Sequence, residues 1–416
     1  MTFPPRTALA DQYNDARYYF GVIMDEPTVT GTDLFEQDPN QMITELPDGS
    51  AVVAVASEEE ADDAGHYANL AETLDAFTLN TLATDLLDLV EKDKKAREKR
   101  DEQQEEGIRR TGLGDDAPGG ANFSGASRVV HPVLAEGCVD FSARAMKELF
   151  PAKGPVKTKI YGKSDQKKLD KARRKADYLN WQLTTQIAEY RDEKEIELTQ
   201  LPLGGSQYLK FWPEGGRIHC EFVPIDDIYL PYAATSFYTS PRATHAQKLN
   251  KHKFDSRVKS KLYRDVDNLI TEDEPEETAS QQATNKIEGK TSSGYNEDGI
   301  RVVYEISCFW DVEGDGAAPY IIHIDEASSK VLGLYRNWAE DDAARTKLDW
   351  IQEDKFIPWR GVYGIGLLHL IGSLAGSATG ALRALLDSAH INNAPTAIKL
   401  KGGRAAGQNI EVSIGE

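Results

Sequence analysis

FIPWRGVYGIGLLHLIGSLAGSATGALRALLDSAHINNAPTAIKLKG (356–402) joins a glycine-rich entry, a long helix of low charge and an Asn-Asn-Ala-Pro exit. Across 361–382 there is no Asp, Glu, Lys or Arg, in a chain that is 28% charged. Such a run calls for burial in protein, burial in lipid, or packing against copies of itself. It is long enough to cross a bilayer. Yet Gly364, Gly366, Gly372, Gly376 and Gly380, with His369, Ser373, Ser377 and Thr379, dilute its apolar surface. One-sided Lys/Arg flanks and aromatic residues at both ends are missing as well, so a membrane anchor at 361–382 is the weaker expectation.

Gly372, Gly376 and Gly380 fall four apart, on one helix face, where another backbone can approach closely. Leu367, Leu370, Ile371, Leu374, Leu382, Leu385 and Leu386 supply apolar contacts. Glycine costs up to ~1 kcal/mol relative to Ala inside a helix, so close packing is expected to offset the loss. Two readings follow: a tightly buried core helix, or a helix packed against neighbouring subunits. For the second, the candidate packing residues are Gly372, Gly376, Gly380, Leu374 and Leu385.

The chain has 416 residues, enough for two or three structural units. Its 68 acidic and 48 basic residues give a net charge of −20, which argues against a protein that clamps nucleic acid over a broad basic surface. A protein that surrounds DNA without gripping it remains compatible. Cys138, Cys220 and Cys308 are too far apart for a metal motif, odd in number, and suit a reducing cytoplasm. No basic-then-apolar leader opens the chain.

Residues 1–60 read as an acidic, loosely ordered arm with a short hairpin around 47–49. From His66 an apolar stripe of Leu70, Leu74, Phe77, Leu82, Leu86 and Leu89 predicts a helix, extended by the charged run 91–106 as a solvated face. A Gly- and Asp-rich linker at 111–125 leads to a second helix after Ser127, ending at Phe150-Pro151. A short strand is expected at 156–161, then a long helix over 164–190. The first half of that helix holds Lys167, Lys168, Lys171, Arg173 and Arg174, the most basic patch in the chain. It reads as a solvated face or as a contact for phosphate or for a partner's acidic groups.

Strands are predicted at 204–212, 216–223 and 227–230, and a basic helix over 248–266. The polar stretch 271–299 reads as an exposed or disordered loop. Strands are then predicted at 301–311, 320–324, 330–337 and 350–357 before the C-terminal helix. The fold class is α+β.

Chemistry is sparse. Asp226 and Asp227 are adjacent, so in an extended chain they face opposite ways and form no dyad. His323 and Asp325 share a strand face but lack a third ligand nearby. Gly204-Gly205-Ser206 lacks the lysine of a phosphate loop and enters a strand. Gly364-Ile365-Gly366 precedes a helix but lacks the third glycine and the βαβ setting of a dinucleotide site. His131, before Pro132, suits a cap or packing role. No enzyme signature, cofactor or metal is expected.

Three blocks, in this order and spacing, resemble the portal proteins of tailed double-stranded DNA phages, particularly those of short-tailed phages. They are ASRVVHPVLAEGCVDFSARAMKELFP (126–151), LPLGGSQYLKFWPEGGRIHCEFVPIDDIYLPYAATSFYTSPRATH (201–245), and YEISCFWDVEGDGAAPYIIHIDEASSKVLGLYRNW (304–338) with 356–390. The resemblance implies a homo-oligomeric ring, usually of twelve subunits, at one vertex of the capsid. Such a ring conducts double-stranded DNA in packaging and ejection, and docks the terminase large subunit and the head-completion or tail proteins. Capsid and scaffolding proteins would be further partners. It implies a virion protein assembled in the host cytoplasm, and not an enzyme.

Mapped onto this chain, the family's parts would be a wing at 61–245, a first stem helix at 246–270 and a clip-like β region at 300–360. A second stem helix would lie at 361–395, and the start of a further wing or crown at 396–416. Family members usually continue well past such a helix, so a C-terminally truncated chain is expected. The 1–60 arm has no counterpart. Another virion component, such as a head–tail adaptor, is the alternative.

Overall fold

The computed structural model describes residues 65–113, 126–267, 269–270, 277–291, 295–296, 298–314 and 316–393, together with two strands near the start. The chain divides into two compact units, Met1–Ala64 and Gly65–Glu416. In the first, β1 (Gln41–Glu45) pairs antiparallel with β2 (Ala51–Val55), Gln41 opposite Val55. These strands flank the expected turn at 47–49. That turn, the rest of the 1–60 arm and the whole of 396–416 lie outside the described residues.

Two antiparallel sheets organise the second unit. One has β3 (Ser206–Glu214) between β4 (Arg217–Val223) and β10 (Ile351–Lys355). The larger runs in the order β5 (Ile228–Tyr229), β6 (Arg242–Leu249), β7 (Arg301–Trp310), β8 (Ala318–Asp325) and β9 (Lys330–Arg336). Period-two alternation divides its faces. Tyr304, Ile306, Ile322, Ile324 and Leu334 meet Leu79, Leu82, Leu86 and Val90 of the helix α1 (Ala76–Arg110) in the main core. Fully burying a side chain of this size contributes about 1.5–3 kcal/mol, so this seam anchors the unit. On the opposite face, Val303 and Leu332 pack with Leu249 and Tyr263.

Helix α2 (Val133–Leu149) and α3 (Gln166–Trp181) follow, the latter capped by Asp165. A π turn at Gln182–Gln186 interrupts the expected 164–190 helix, and α4 (Tyr190–Gly204) begins beyond it. It ends at Gly205, whose φ of +79° is open to glycine at little cost. The smaller sheet therefore starts at Ser206, two residues later than predicted.

Three expectations are corrected. Residues 156–161 are extended but pair with no strand; they lie along α3 instead. The basic helix expected over 248–266 is α5 (Lys251–Lys259) alone. Its first residues belong to β6, claimed by the ladder to β7, and Lys261 at φ +60° breaks the chain direction beyond it. The polar stretch 271–299 contains a helix, α6 (Ala279–Ile287), held by a Thr278/Gln281 capping box and packed through Ala283 near Ile108. The larger sheet draws β5 and β6 from 228–249 and β7–β9 from 300–360. Those ranges share one core, which includes Tyr229, Ala246, Tyr304 and Ile322.

Candidate functional site

The 356–402 segment enters its helix through a lock of backbone on backbone. At Gly364 a Cβ would lie 2.2 Å from the Gly205 carbonyl oxygen, and at Gly366 one would lie 2.4 Å from that of Leu203. Ser206 Oγ accepts the Gly364 N–H at 2.8 Å, and Phe356 N donates to Gly205 O at 2.9 Å. The two glycine motifs that lacked phosphate-loop or dinucleotide context thus pack on each other. Their glycines serve close approach, leaving no cradle for a ligand.

Beyond the lock runs α7 (Leu367–Asn393). Of its residues, only Gly372, Ala375 and Thr379 are buried. Arg110 of α1 donates to Gly372 O at 2.8 Å, Thr379 Oγ1 accepts the His131 N–H at 3.1 Å, and Arg383 Nε donates to Val129 O at 2.8 Å. Asp387 accepts the Ser127 N–H at 2.6 Å. These contacts all use one face. At helical spacing Leu370, Leu374, Ala378, Ala381 and Leu385 form the opposite one. Leu374 and Leu385 are 67% and 69% exposed.

The predicted packing residues therefore separate. Gly372 is used within the chain, since a Cβ there meets Leu368 at 2.9 Å and Arg110 at 3.6 Å. Among the described residues beyond its own turn, a Cβ at Gly376 would meet only Arg110 Nη1, at 3.8 Å, and one at Gly380 would meet nothing within 4 Å. Leu374 and Leu385 face outward. The buried-core reading fails for this helix, because one face suffices to seat it. Among the described residues no helix is long and apolar enough to cross a membrane.

The charged run of α1 differs from its expected solvated face. Asp93 and Arg97 continue the buried stripe of Leu79, Leu82, Leu86 and Val90. Asp93 holds Arg242 through two hydrogen bonds of 2.6 and 2.7 Å. Arg97 donates to the carbonyls of Ile225, Asp226 and Ile228, pairs with Asp101 at 2.9 Å and lies 4.3 Å over the Tyr229 ring. Arg100 donates to Gly204 O, next to the glycine lock.

A polar cluster unseen in the sequence lies between the two sheets. Pairing of β6, β7 and β8 aligns His245, Glu305 and His323 in one row. Lys210 Nζ pairs with Glu305 at 2.5 Å, and Gln247 donates to the same carboxylate at 2.6 Å. Burial, with the Lys210 charge, pushes His245 down to about 3, and burial pushes His323 down to about 4. Although burial opposes it, Lys210 holds Glu305 well below the usual carboxylate range. The lysine takes the place a cation would need, so the row is a structural network. Register brought these residues together, and no sequence spacing signals it.

His323 and Asp325 do not act jointly: Asp325 pairs with Arg301 at 2.8 Å, while His323 packs against Tyr263. Burial pushes Cys138 up to about 11, and Cys220 and Cys308 up to about 12, leaving none as a thiolate. Asp226 is buried and Asp227 accepts a hydrogen bond from Gln281 at 2.9 Å. The basic residues Lys167, Lys168, Lys171, Arg173 and Arg174 are exposed on α3, which buries no residue. No protein-family model matches the chain, and no curated protein matches it.

Proposed function

We propose that this chain is the subunit of a homo-oligomeric ring of the phage portal type. The observation that carries the reading is the outward face of α7, where Leu370, Leu374 and Leu385 stand exposed in a helix without charge over 367–382. Several leucines along one exposed helix face mark a surface that another chain covers. The block order of the sequence supports the rest: a virion protein at one capsid vertex that conducts double-stranded DNA and is not itself an enzyme. Its partners are the terminase large subunit, head-completion or tail proteins, and capsid and scaffolding proteins. Net charge of −20 suits a conduit through which phosphates slide without sticking.

Negative-stain imaging tests it. Purified protein is expected to form rings, of about twelve subunits by the family resemblance, with a hole wide enough for duplex DNA. Leu374→Glu sharpens the test, because that side chain stands exposed on the outward face of α7. Rings lost in this variant, with the chain still folded, place a neighbour against α7. A wild-type chain that stays monomeric overturns the reading.

One observation favours a second reading, another ring-forming virion component such as a head–tail adaptor. Helix α5 has nine residues, too few for a stem strut beside α7. Pull-down with a terminase large subunit separates the two, since the portal reading expects capture and the adaptor reading expects none.

A further inference from the structure

The segment 153–175 holds ten Lys and Arg against Asp165 and Asp170, a net charge of +8 in a chain whose remainder carries −28. It forms a two-element arm. Extended residues 155–161 run back along α3, fastened by Asn180 Oδ1 accepting the Val156 N–H at 2.7 Å, Asn180 Nδ2 donating to Val156 O at 3.2 Å, and Thr158 Oγ1 donating to Ala172 O at 2.8 Å. Asn180 and Ala172 thus mark the side of α3 that faces this segment. At helical spacing Lys167, Lys168, Lys171, Arg174 and Lys175 occupy the other side, a stripe about 12 Å long at ~1.5 Å per residue. Among the described residues Lys167, Lys171, Arg174 and Lys175 have no ion pair. Arg173 lies off the stripe, 3.9 Å from Asp177.

Two features of the arm choose its partner. Eight of the ten cations are lysines, a residue depleted in protein–protein interfaces and well suited to phosphate as a point charge. The stripe also begins about 9 Å and ends about 21 Å along the helix from Trp181, at ~1.5 Å per residue. The screening length in physiological salt is about 8 Å, so charges of the chain farther than that from the stripe are largely screened from it. We propose that this arm binds the phosphate backbone of duplex DNA without regard to sequence. The net negative charge of the chain therefore describes its body and not its arm.

Fluorescence anisotropy of a labelled random-sequence 30-bp duplex, titrated with the full-length chain at ~50–200 mM salt, tests the proposal; these are working values chosen to span the steep range of salt dependence. The comparison is with the quintuple variant K167Q/K168Q/K171Q/R174Q/K175Q, whose circular dichroism is expected to be unchanged because α3 buries no residue. The wild type is expected to bind with a log–log salt slope steeper than the variant's by about 4–5, one for each phosphate that the variant leaves unneutralised, and about 100-fold more tightly or better at low salt. Absence of wild-type binding at the lowest salt, or equal binding by the variant, overturns the proposal. So does poly-glutamate that competes as well as DNA at matched charge, an outcome that assigns the arm to an acidic protein. Imaging of the same preparations scores ring assembly separately, so failure of the arm and failure of the ring reading are told apart.

Discussion

Helices α1 and α7 invert what their compositions suggest. The charged second half of α1 sends Asp93 and Arg97 into the protein, each 2% exposed, whereas α7, which carries no charge over 367–382, leaves Leu374 and Leu385 in the open. A charge is tolerated inside when every hydrogen-bonding position finds a partner, and Arg97 has three carbonyls, a carboxylate and a ring. An apolar side chain is excluded from water only if something covers it, and nothing described in this chain covers the outer face of α7. Composition ranks the cost of burial and exposure; packing decides which is met.

The largest way to break that comparison is Arg97→Met. Losing the guanidinium strands the carbonyls of Ile225, Asp226 and Ile228, so chemical denaturation is expected to show a loss of about 3–5 kcal/mol. A loss under about 1 kcal/mol would mean that the buried charges of α1 are incidental.

Gly364→Ala comes next. Its Cβ would sit 2.2 Å from a backbone oxygen that has no rotamer to escape into, and an expected cost of about 3 kcal/mol or more follows from overpacking. Gly361→Ala is the control. Among the described residues, its chain neighbours aside, nothing lies within 4 Å of that Cβ, and its stability should stay within about 0.5 kcal/mol of wild type. Similar costs at both positions would remove the close approach that seats α7.

His323→Gln sharpens the account of the sheet on which α1 rests. The folded value of about 4 lies below the ordinary 6.5, so the unfolded chain binds more protons between them. Stability therefore rises with pH through this window and is lost on acidification. Glutamine is expected to flatten the slope by up to about 1.4 kcal/mol per pH unit, read from denaturation midpoints between about pH 4 and 6.5. Glu197, pushed up to about 8 by burial beside Lys194 and Asp354, works in the opposite sense between its ordinary 4.5 and that value. The difference between variant and wild type is thus the informative quantity. An unchanged slope would show that His323 titrates normally.

Smallest in stability is Leu374→Glu with Leu385→Glu. Both residues face outward, so the fold of one chain is expected to change by less than about 1 kcal/mol while sedimentation shows ring assembly abolished. Assembly at wild-type levels would mean that the outer face of α7 is simply solvated.

Much of the fold was legible. Alternation located β7, β8, β9 and β10 within a few residues, because period two survives wherever one face is buried. Strand β6 was not legible: Arg242–Leu249 has no bulky alternation of its own and is held by β5 and β7. Helix α4 was hidden by Pro202 in its last turn and by charged residues, Lys194 and Glu197, at its buried positions. The candidate site was half legible. Spacing set Leu374 and Leu385 on one helix face and gathered the α3 cations, all of which are exposed, but could not say that Gly372 packs inward while a Cβ at Gly380 meets nothing among the described residues.

The sequence alone determined the mixed α and β class, most strands, the long α7 and the cationic stripe of α3. Each depends on periodicity or local charge, which the order of residues carries directly. Only the tertiary structure decided that the two glycine motifs close on each other, that β6 joins what looked like separate regions, and that His245, Glu305 and His323 form one row. Each of these depends on which distant backbones come within a few ångströms, and that distance is set by the packing of the whole chain rather than by any one stretch of it.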